Sequence, residues 1–247
     1  MKGAWQELNE RLIGSRDYFD LDAHAHAQFV AVRQLAERHA RGRVLDAGAG
    51  RLAFRDVIAP WAKLYVSADL VAERAELDVV CDLGEPPFED GAFDTIFCLQ
   101  VIEHTKRPGH VLRGLRRVLA DDGTLIVSAP HISYLHGEPH DYFRYTKYGL
   151  AAMLADAGFE VDSVRGVGGL LGFVGALCSD VALTAASRIP KLFPLAFAAN
   201  RVFVRAVCGI ERRLSPDSMV NDLFAVDYAV VARKRAGAAP ATECASF

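Results

Sequence analysis

The stretch Val44-Leu45-Asp46-Ala47-Gly48-Ala49-Gly50 constrains this chain more than any other. The apolar, partly β-branched run from Arg43 to Ala47 reads as a short buried strand. Two glycines, Gly48 and Gly50, follow it and allow backbone angles and close ligand approach that a Cβ blocks. A helix is predicted from Leu52 to Ile58, ended near Pro60. Strand, glycine turn and helix in that order build the nucleotide-binding crevice of an open α/β sheet.

Two cofactor classes fit such a crevice. The spacing Gly48-x-Gly50-x-x-Ala53, with Asp69 about 20 residues on, satisfies the dinucleotide fingerprint of a dehydrogenase. A pyrophosphate, however, needs a helix N-terminus with no anion beside it. Asp46 sets a carboxylate at the strand end, two residues before the first glycine. That suits a ligand with cationic groups, and S-adenosylmethionine carries an ammonium and a sulfonium. The bland alternative is that Asp46 bonds the turn or caps the next helix.

At 247 residues the chain accommodates one large α/β domain with an appendage. A net charge of −3 gives no general electrostatic reason to bind nucleic acid. The five cysteines are scattered, with no C-x-x-C pair, which argues against a disulfide framework or zinc site. The polar, charged start from Met1 to Leu12 lacks an apolar signal region, so a cytoplasmic location is expected.

Residues 1–40 read as two helices, Ala4 to Ile13 and Asp22 to His39, covering the sheet, with Asp22 as N-cap of the second. Tyr18, between them, either covers the crevice or joins the core. Further strands are predicted at Lys63–Ala68, Asp78–Cys81, Phe93–Cys98, Thr124–Ala129, Phe159–Val164 and Leu223–Arg233. Helices are predicted at Val111–Leu119 and from the Thr146 cap to Ala157, with a turn at Asp121-Asp122-Gly123. Arg113, Arg116 and Arg117 read as a wet helix face. Residues 236–247 read as a disordered tail. Asp69 stands at the second strand's end, where an acid accepts both ribose hydroxyls of an adenosine; alone it would pass for a turn aspartate. In Asp82-Leu83 a carboxylate beside an apolar side chain suits an adenine amino group and ring.

The stretch from Pro130 to Tyr145 holds three histidines, two acids, an arginine and three tyrosines. Loops at that end of such a sheet carry function more often than packing. His136 and His140, with Glu138 and Asp141, offer metal-ligand chemistry. Their spacing matches no strong zinc pattern, and no metal is assigned from it. Pairing of Arg144 with an acid, and one histidine as base or substrate contact, is the expectation.

In VLDAGAG at 44–50, Asp69 after YVSA, CDL at 81–83, PFEDGAFDTIFCLQVIEH at 87–104 and LRRVLADDGTLIVSAPH at 115–131, the chain resembles the class I S-adenosylmethionine-dependent methyltransferases. The resemblance covers about Arg43 to Val164 plus the last strand, as ordered signals in register. It implies a Rossmann-like, seven-stranded, mostly parallel sheet with helices on both faces and a reversed last strand. It implies that Asp46, Ala47, Gly48 and Gly50 hold the methionine end of the cofactor, with Leu99 and Gln100 lining that side. Asp69 with Leu70 would hold the ribose, and Asp82 with Leu83 the adenine. The HGEPHDYFRYT segment looks like that of small-molecule methyltransferases, which makes Tyr142 and Arg144 substrate-contact candidates together with Tyr18.

One departure from that family is large. About fifty residues separate the sixth and seventh strands, far more than a plain connection needs. Residues 166–215 read as a helical insertion in a domain spanning 41–235, with Asp180 and the Arg188-Ile189-Pro190-Lys191 run interrupting its apolar stretches. It is either a lid or dimer surface over the crevice, or a peripheral contact of residues 166–214 with a membrane or lipid-linked substrate.

The expected reaction is transfer of a methyl group to a small-molecule acceptor, as O-methylation of a sugar, polyketide or lipid-linked compound. A hydroxyl nucleophile must lose its proton, and the base candidates are His140, His136, His131 and His104. Each equally suits a structural or substrate hydrogen bond. The competing readings are an RNA or protein methyltransferase and a non-catalytic cofactor-binding or membrane-adaptor protein.

Overall fold

The computed structural model describes residue 8 and residues 11–72, 76–189, 191–214 and 219–235. The helix expected over Ala4–Ile13 lies partly outside these residues, and the tail 236–247 wholly outside. Seven strands form one mixed sheet: β1 (Arg43–Ala47), β2 (Leu64–Asp69), β3 (Val79–Val80), β4 (Phe93–Leu99), β5 (Leu119–Pro130), β6 (Phe159–Val167) and β7 (Asp227–Lys234). Their order is β3-β2-β1-β4-β5-β7-β6. The pairs β1–β2, β2–β3, β1–β4 and β4–β5 are parallel. Val44, Leu45, Ile96, Phe97 and Cys98 in the middle strands are buried, as continuous apolar runs between two helix layers must be.

The chain leaves β1 for β2 and β3 on one side, then returns to pair β4 on the other. Strand order therefore reverses between the tips of β1 and β4, which is where open α/β sheets leave a crevice.

The helices are α1 (Ala23–His39), α2 (Arg55–Ile58), α3 (Pro108–Val118), α4 (Lys147–Asp156), α5 (Leu170–Ser187), α6 (Phe193–Leu214) and α7 (Met219–Leu223). The Asp22 cap is present: its Oδ1 accepts from Ala25 N at 2.8 Å. Thr146 Oγ1 accepts from Gly149 N in the same way at the start of α4. In α3, Val111, Leu112, Leu115 and Val118 form the buried stripe. The arginines on its other face do more than meet solvent. Arg117 donates to the carbonyls of Phe88 and Pro86 and to Asp90, and Arg116 donates to the Gly158 carbonyl.

Several boundaries differ from expectation for physical reasons. Helix α2 begins at Arg55, not Leu52, because Leu52 sits at φ 60 and stops a helix from starting there. Asp121-Asp122-Gly123 is not a hairpin turn but lies within β5. Between Phe93↔Leu119 and Thr95↔Thr124 the register slips, so extra residues of β5 bulge opposite β4. Strand β7 starts at Asp227, and Leu223, expected to open it, ends α7. Asp180 interrupts the apolar stretch within α5, and the two helices of the insertion part between Ser187 and Phe193, where the Arg188–Lys191 run lies.

The chain divides into two compact units, residues up to Arg33 with Gly166–Asp227, and Gln34–Arg165 with residues from Tyr228 onward. The expected plan, an N-terminal cover over residues 1–40 beside one domain at 41–235, draws its boundaries elsewhere. The cause is apolar pairing. Leu8 and Leu21 form a buried cluster with Leu183 of α5, and Tyr18, Phe193 and Phe197 pack against it. Within that unit α5 and α6 pair closely. Glu211 of α6 accepts from the backbone N–H groups of Leu171 and Gly172, at the first turn of α5.

Candidate functional site

The crevice at the strand-order reversal is built by the tips of β1, β2 and β4. Gly48 has φ +80, and a Cβ there would lie 2.2 Å from Val101 Cγ2. Only glycine lets the β1 turn pass beneath the segment that follows β4. The turn is tied to β2 by hydrogen bonds from Gly48 N and Ala49 N to the Ala68 carbonyl. Gln100, at φ 56, bends the chain after β4, and its N–H donates to the Ser128 carbonyl. Its side-chain Nε2 donates to Ser128 Oγ at 3.2 Å. Leu99 is buried beside it.

Carboxylates stand at the tips of β1 and β2, with a third just past β3. Asp46 is buried, and its Oδ2 accepts the Tyr65 hydroxyl at 2.6 Å. Burial, opposed by that hydrogen bond, pushes its carboxyl up to about 6. Asp69 accepts from Gly50 N through Oδ2 at 2.7 Å and from Leu70 N through Oδ1 at 2.6 Å. Asp82 accepts from Gly84 N at 2.8 Å, beside the buried Leu83. Leu70 is exposed.

These observations test which cofactor fits. A pyrophosphate needs a helix N-terminus, but α2 is only four residues long and begins five residues beyond Gly50. A cationic adenosyl ligand fits better, because Asp46, Asp69 and Asp82 set carboxylates at or just past successive strand ends. Asp69 is half-exposed and aimed by the glycine-turn N–H, as a ribose acceptor must be.

The second part of the site is the loop between β5 and α4. Arg144 clamps it, donating to both oxygens of Asp141 at 2.6 and 2.8 Å and to the Tyr134 carbonyl at 2.6 Å. Hydrogen bonds from Arg144 and His136 N hold the Asp141 carboxyl low, at about 2, against its burial. The expected pairing of Arg144 with an acid is therefore Asp141. His140 Nδ1 lies 2.9 Å from the Tyr142 hydroxyl, and Tyr142 N donates to the Glu103 carbonyl. His131 Nδ1 lies 3.0 Å from the Tyr145 carbonyl, and its ring packs on Tyr228. Burial lowers the pKa of His136, so its imidazole is neutral near pH 7.

The structure thus brings His104, His136, His140 and Tyr142 into one neighbourhood, joined by Glu103. It does not join Glu138 or Asp141 to His140. Tyr18 belongs to the apolar cluster of the other unit, against Phe19 and Leu21. Sequence reasoning missed Glu103 and Tyr65. Glu103 was hidden because its partner His136 lies in a different loop. Tyr65 becomes visible only once the β1–β2 register sets Val44 opposite Tyr65 and Asp46 opposite Ser67.

Comparison with known proteins agrees with this geometry. Residues 45–127 match the family described as methyltransferase domain. A probable S-adenosylmethionine-dependent methyltransferase of Mycolicibacterium smegmatis is 31% identical over 153 residues. That match covers 56% of this chain and 60% of the relative, so the chain spans somewhat over half of that protein's length. Among solved structures, the cyclase SpnF gives a TM-score of 0.57 at 20% identity, covering 86% of this chain and 82% of its own. A 1,6-didemethyltoxoflavin-N1-methyltransferase of Burkholderia thailandensis, solved with S-adenosylhomocysteine, gives 0.52 at 18% identity, covering 94% and 88%. At such identities the likeness is one of fold. The residues that match the methyltransferase domain hold the glycine turn and the acids at successive strand tips, and the fold is shared with solved methyltransferases.

Proposed function

We propose that this chain transfers a methyl group from S-adenosylmethionine to an oxygen of a small-molecule acceptor: a sugar, a polyketide or a lipid-linked compound. The observation that carries the reading is the set of carboxylates Asp46, Asp69 and Asp82 around the Gly48 turn. The bound cofactor supplies an activated methyl group on a sulfonium. The protein's task is to align the acceptor oxygen with it and keep water out. Asp69 and Asp82 fix the adenosine, and Asp46 faces the charged methionine end. The loop held by Arg144 and Asp141 presents Tyr142 and His140 to the acceptor. With His140 Nδ1 donating to the Tyr142 oxygen, Nε2 is the basic nitrogen that takes the acceptor's proton.

The lipid-linked acceptor draws support from the insertion. Helices α5 and α6 are each long and apolar enough to cross a membrane by length and composition. Leu177 and Val181 on α5, and Leu195, Val202 and Leu214 on α6, are exposed. The basic rim is thinner than the sequence suggests, because Arg201 and Arg205 pair with Asp17 and Asp20. Arg212 and Arg213 at the end of α6 are exposed and suit an anionic headgroup. In this reading the enzyme works in the cytoplasm, at a membrane surface when its acceptor is lipid-linked.

The test is calorimetric titration of the full chain with S-adenosylmethionine and S-adenosylhomocysteine, followed by radiolabelled methyl transfer to sugar, phenolic and vesicle-borne polyprenyl acceptors. The expected result is binding of both nucleosides, with turnover crippled by His140→Ala at unchanged cofactor affinity. Binding of a nicotinamide dinucleotide instead would overturn the reading. Cofactor binding without consumption on any acceptor would favour the non-catalytic alternative.

A further inference from the structure

The segment after β4 and the loop after β5 converge on one point. Glu103, His104 and His136 place their donor atoms within 4.8 Å of one another. The Glu103 side chain is fully buried, with Oε1 3.8 Å from His104 Nε2 and 4.0 Å from His136 Nε2. The two imidazoles meet edge to face, 4.9 Å between centroids.

The tautomers decide what these atoms offer. His104 Nδ1 lies 2.7 Å from the His140 carbonyl, and His136 Nδ1 lies 3.1 Å from the Tyr134 carbonyl. A carbonyl oxygen only accepts, so each Nδ1 carries the proton and each neutral ring keeps a lone pair on Nε2. Both Nε2 atoms stand on the carboxylate side, beyond hydrogen-bond reach of it. Two nitrogen lone pairs and a carboxylate directed at one point form a ligand set for a cation. Donation of the far ring N–H to a carbonyl is also how metal-binding histidines are held.

The surrounding loop is built to keep them there. Gly137, at φ +66, lies so close to His104 that a Cβ would come 2.7 Å from its Cε1. Arg144 fastens the Tyr134 carbonyl that orients His136, and Asp141 accepts from the His136 backbone N–H.

We propose that Glu103, His104 and His136 bind a divalent transition-metal cation of the zinc class, with three protein ligands and an open position. Mixed imidazole and carboxylate donors favour that class over magnesium or calcium, which take oxygen ligands. Bonds of about 2.0–2.1 Å in a tetrahedral site set ligand atoms about 3.3 Å apart. The donors therefore close inward by roughly 1 Å, within reach of side-chain torsions in two half-buried histidines. An acceptor hydroxyl at the open position would give up its proton more readily. That consequence rests on the methyl-transfer reading, whereas the metal site does not.

The experiment uses the full chain, free of affinity tag and stripped with chelator, titrated with Zn²⁺ and with Co²⁺ as optical probe. The expected result is one equivalent bound, with visible Co²⁺ ligand-field bands. His136→Ala and His104→Asn should each weaken binding at least roughly tenfold, as loss of a ligand does, while His39→Ala leaves it unchanged. Circular dichroism and S-adenosylhomocysteine affinity report folding in each variant. Absence of stoichiometric binding, or binding that survives both ligand substitutions in folded protein, overturns the proposal. An unsubstituted chain that binds S-adenosylhomocysteine but no metal strikes this inference alone, and one that binds metal but not S-adenosylhomocysteine strikes the methyl-transfer reading alone.

Discussion

Removing one hydroxyl from β2 should move the pH range in which the cofactor binds. Asp46 is buried with the Tyr65 hydroxyl 2.6 Å from Oδ2, and its carboxyl titrates near about 6. A hydrogen bond to a charged acceptor contributes about 1.5–3 kcal/mol. At about 1.4 kcal/mol per pH unit, Tyr65→Phe raises that titration by roughly 1–2 units. The direction follows from which form each state prefers. The folded carboxyl lies above its ordinary value of 3.8, so in the ligand-free chain its burial costs stability as pH rises through about 6. A cationic ligand reverses this, because it needs the carboxylate. Calorimetric titration with S-adenosylmethionine from pH 5 to pH 9 should therefore show an affinity plateau at high pH. Below about pH 6 it should fall by up to tenfold per unit. In Tyr65→Phe the same fall should begin one to two units higher, with the two proteins converging near pH 9. Superposed profiles, or affinity that improves as pH falls, would refute the placement of Asp46 against positive charge.

Two further outcomes are expected. Gly48→Ala forces a methyl group 2.2 Å from Val101 Cγ2 at a φ of +80; it should abolish cofactor binding by calorimetry and lower stability by more than about 1 kcal/mol in urea titration. His24 and Asp227 form a buried pair. Burial opposes the imidazolium, but the charge and hydrogen bond of Asp227 overcome it and push His24 up to about 9. Its contribution is complete below about 6.5 and lost as pH rises through about 9. Burial pushes Asp180 up to about 7, and its protonated form is lost over the same direction of pH. Hydrogen exchange, corrected for intrinsic rate, should show protection of residues 23–33 falling between pH 6 and pH 9, and His24→Asn should flatten the change. An unchanged profile in that variant would remove the pair from the stability of its unit.

The parts of the fold legible in the sequence were those specified locally. The apolar run at 44–47, the paired glycines, the Asp22 cap and the Thr146 cap each depend on neighbours within a few residues, and each stands where its chemistry places it. The misread segments are those where distant contacts outweigh local preference. Asp121-Asp122-Gly123 carries turn chemistry, yet pairing with β4 draws it into a bulged strand. The candidate metal ligands illustrate the same limit. Scanning one loop groups His136 and His140 with Glu138 and Asp141. The folded chain instead gives Asp141 to Arg144 and brings Glu103 and His104 to His136.

The unit holding the insertion is stitched from both ends of the chain, and this has a consequence for its synthesis. Asn200 reaches back to the Asp20 and Leu21 carbonyls, and His24 meets a partner 203 positions away. On the ribosome, the opening segment emerges long before α5, α6 or Asp227 exist to receive it. Until they arrive, Leu21 and its apolar neighbours lack the surface they are shaped for, so nascent chains stalled before residue 166 should be held by chaperones and those released after residue 227 should not.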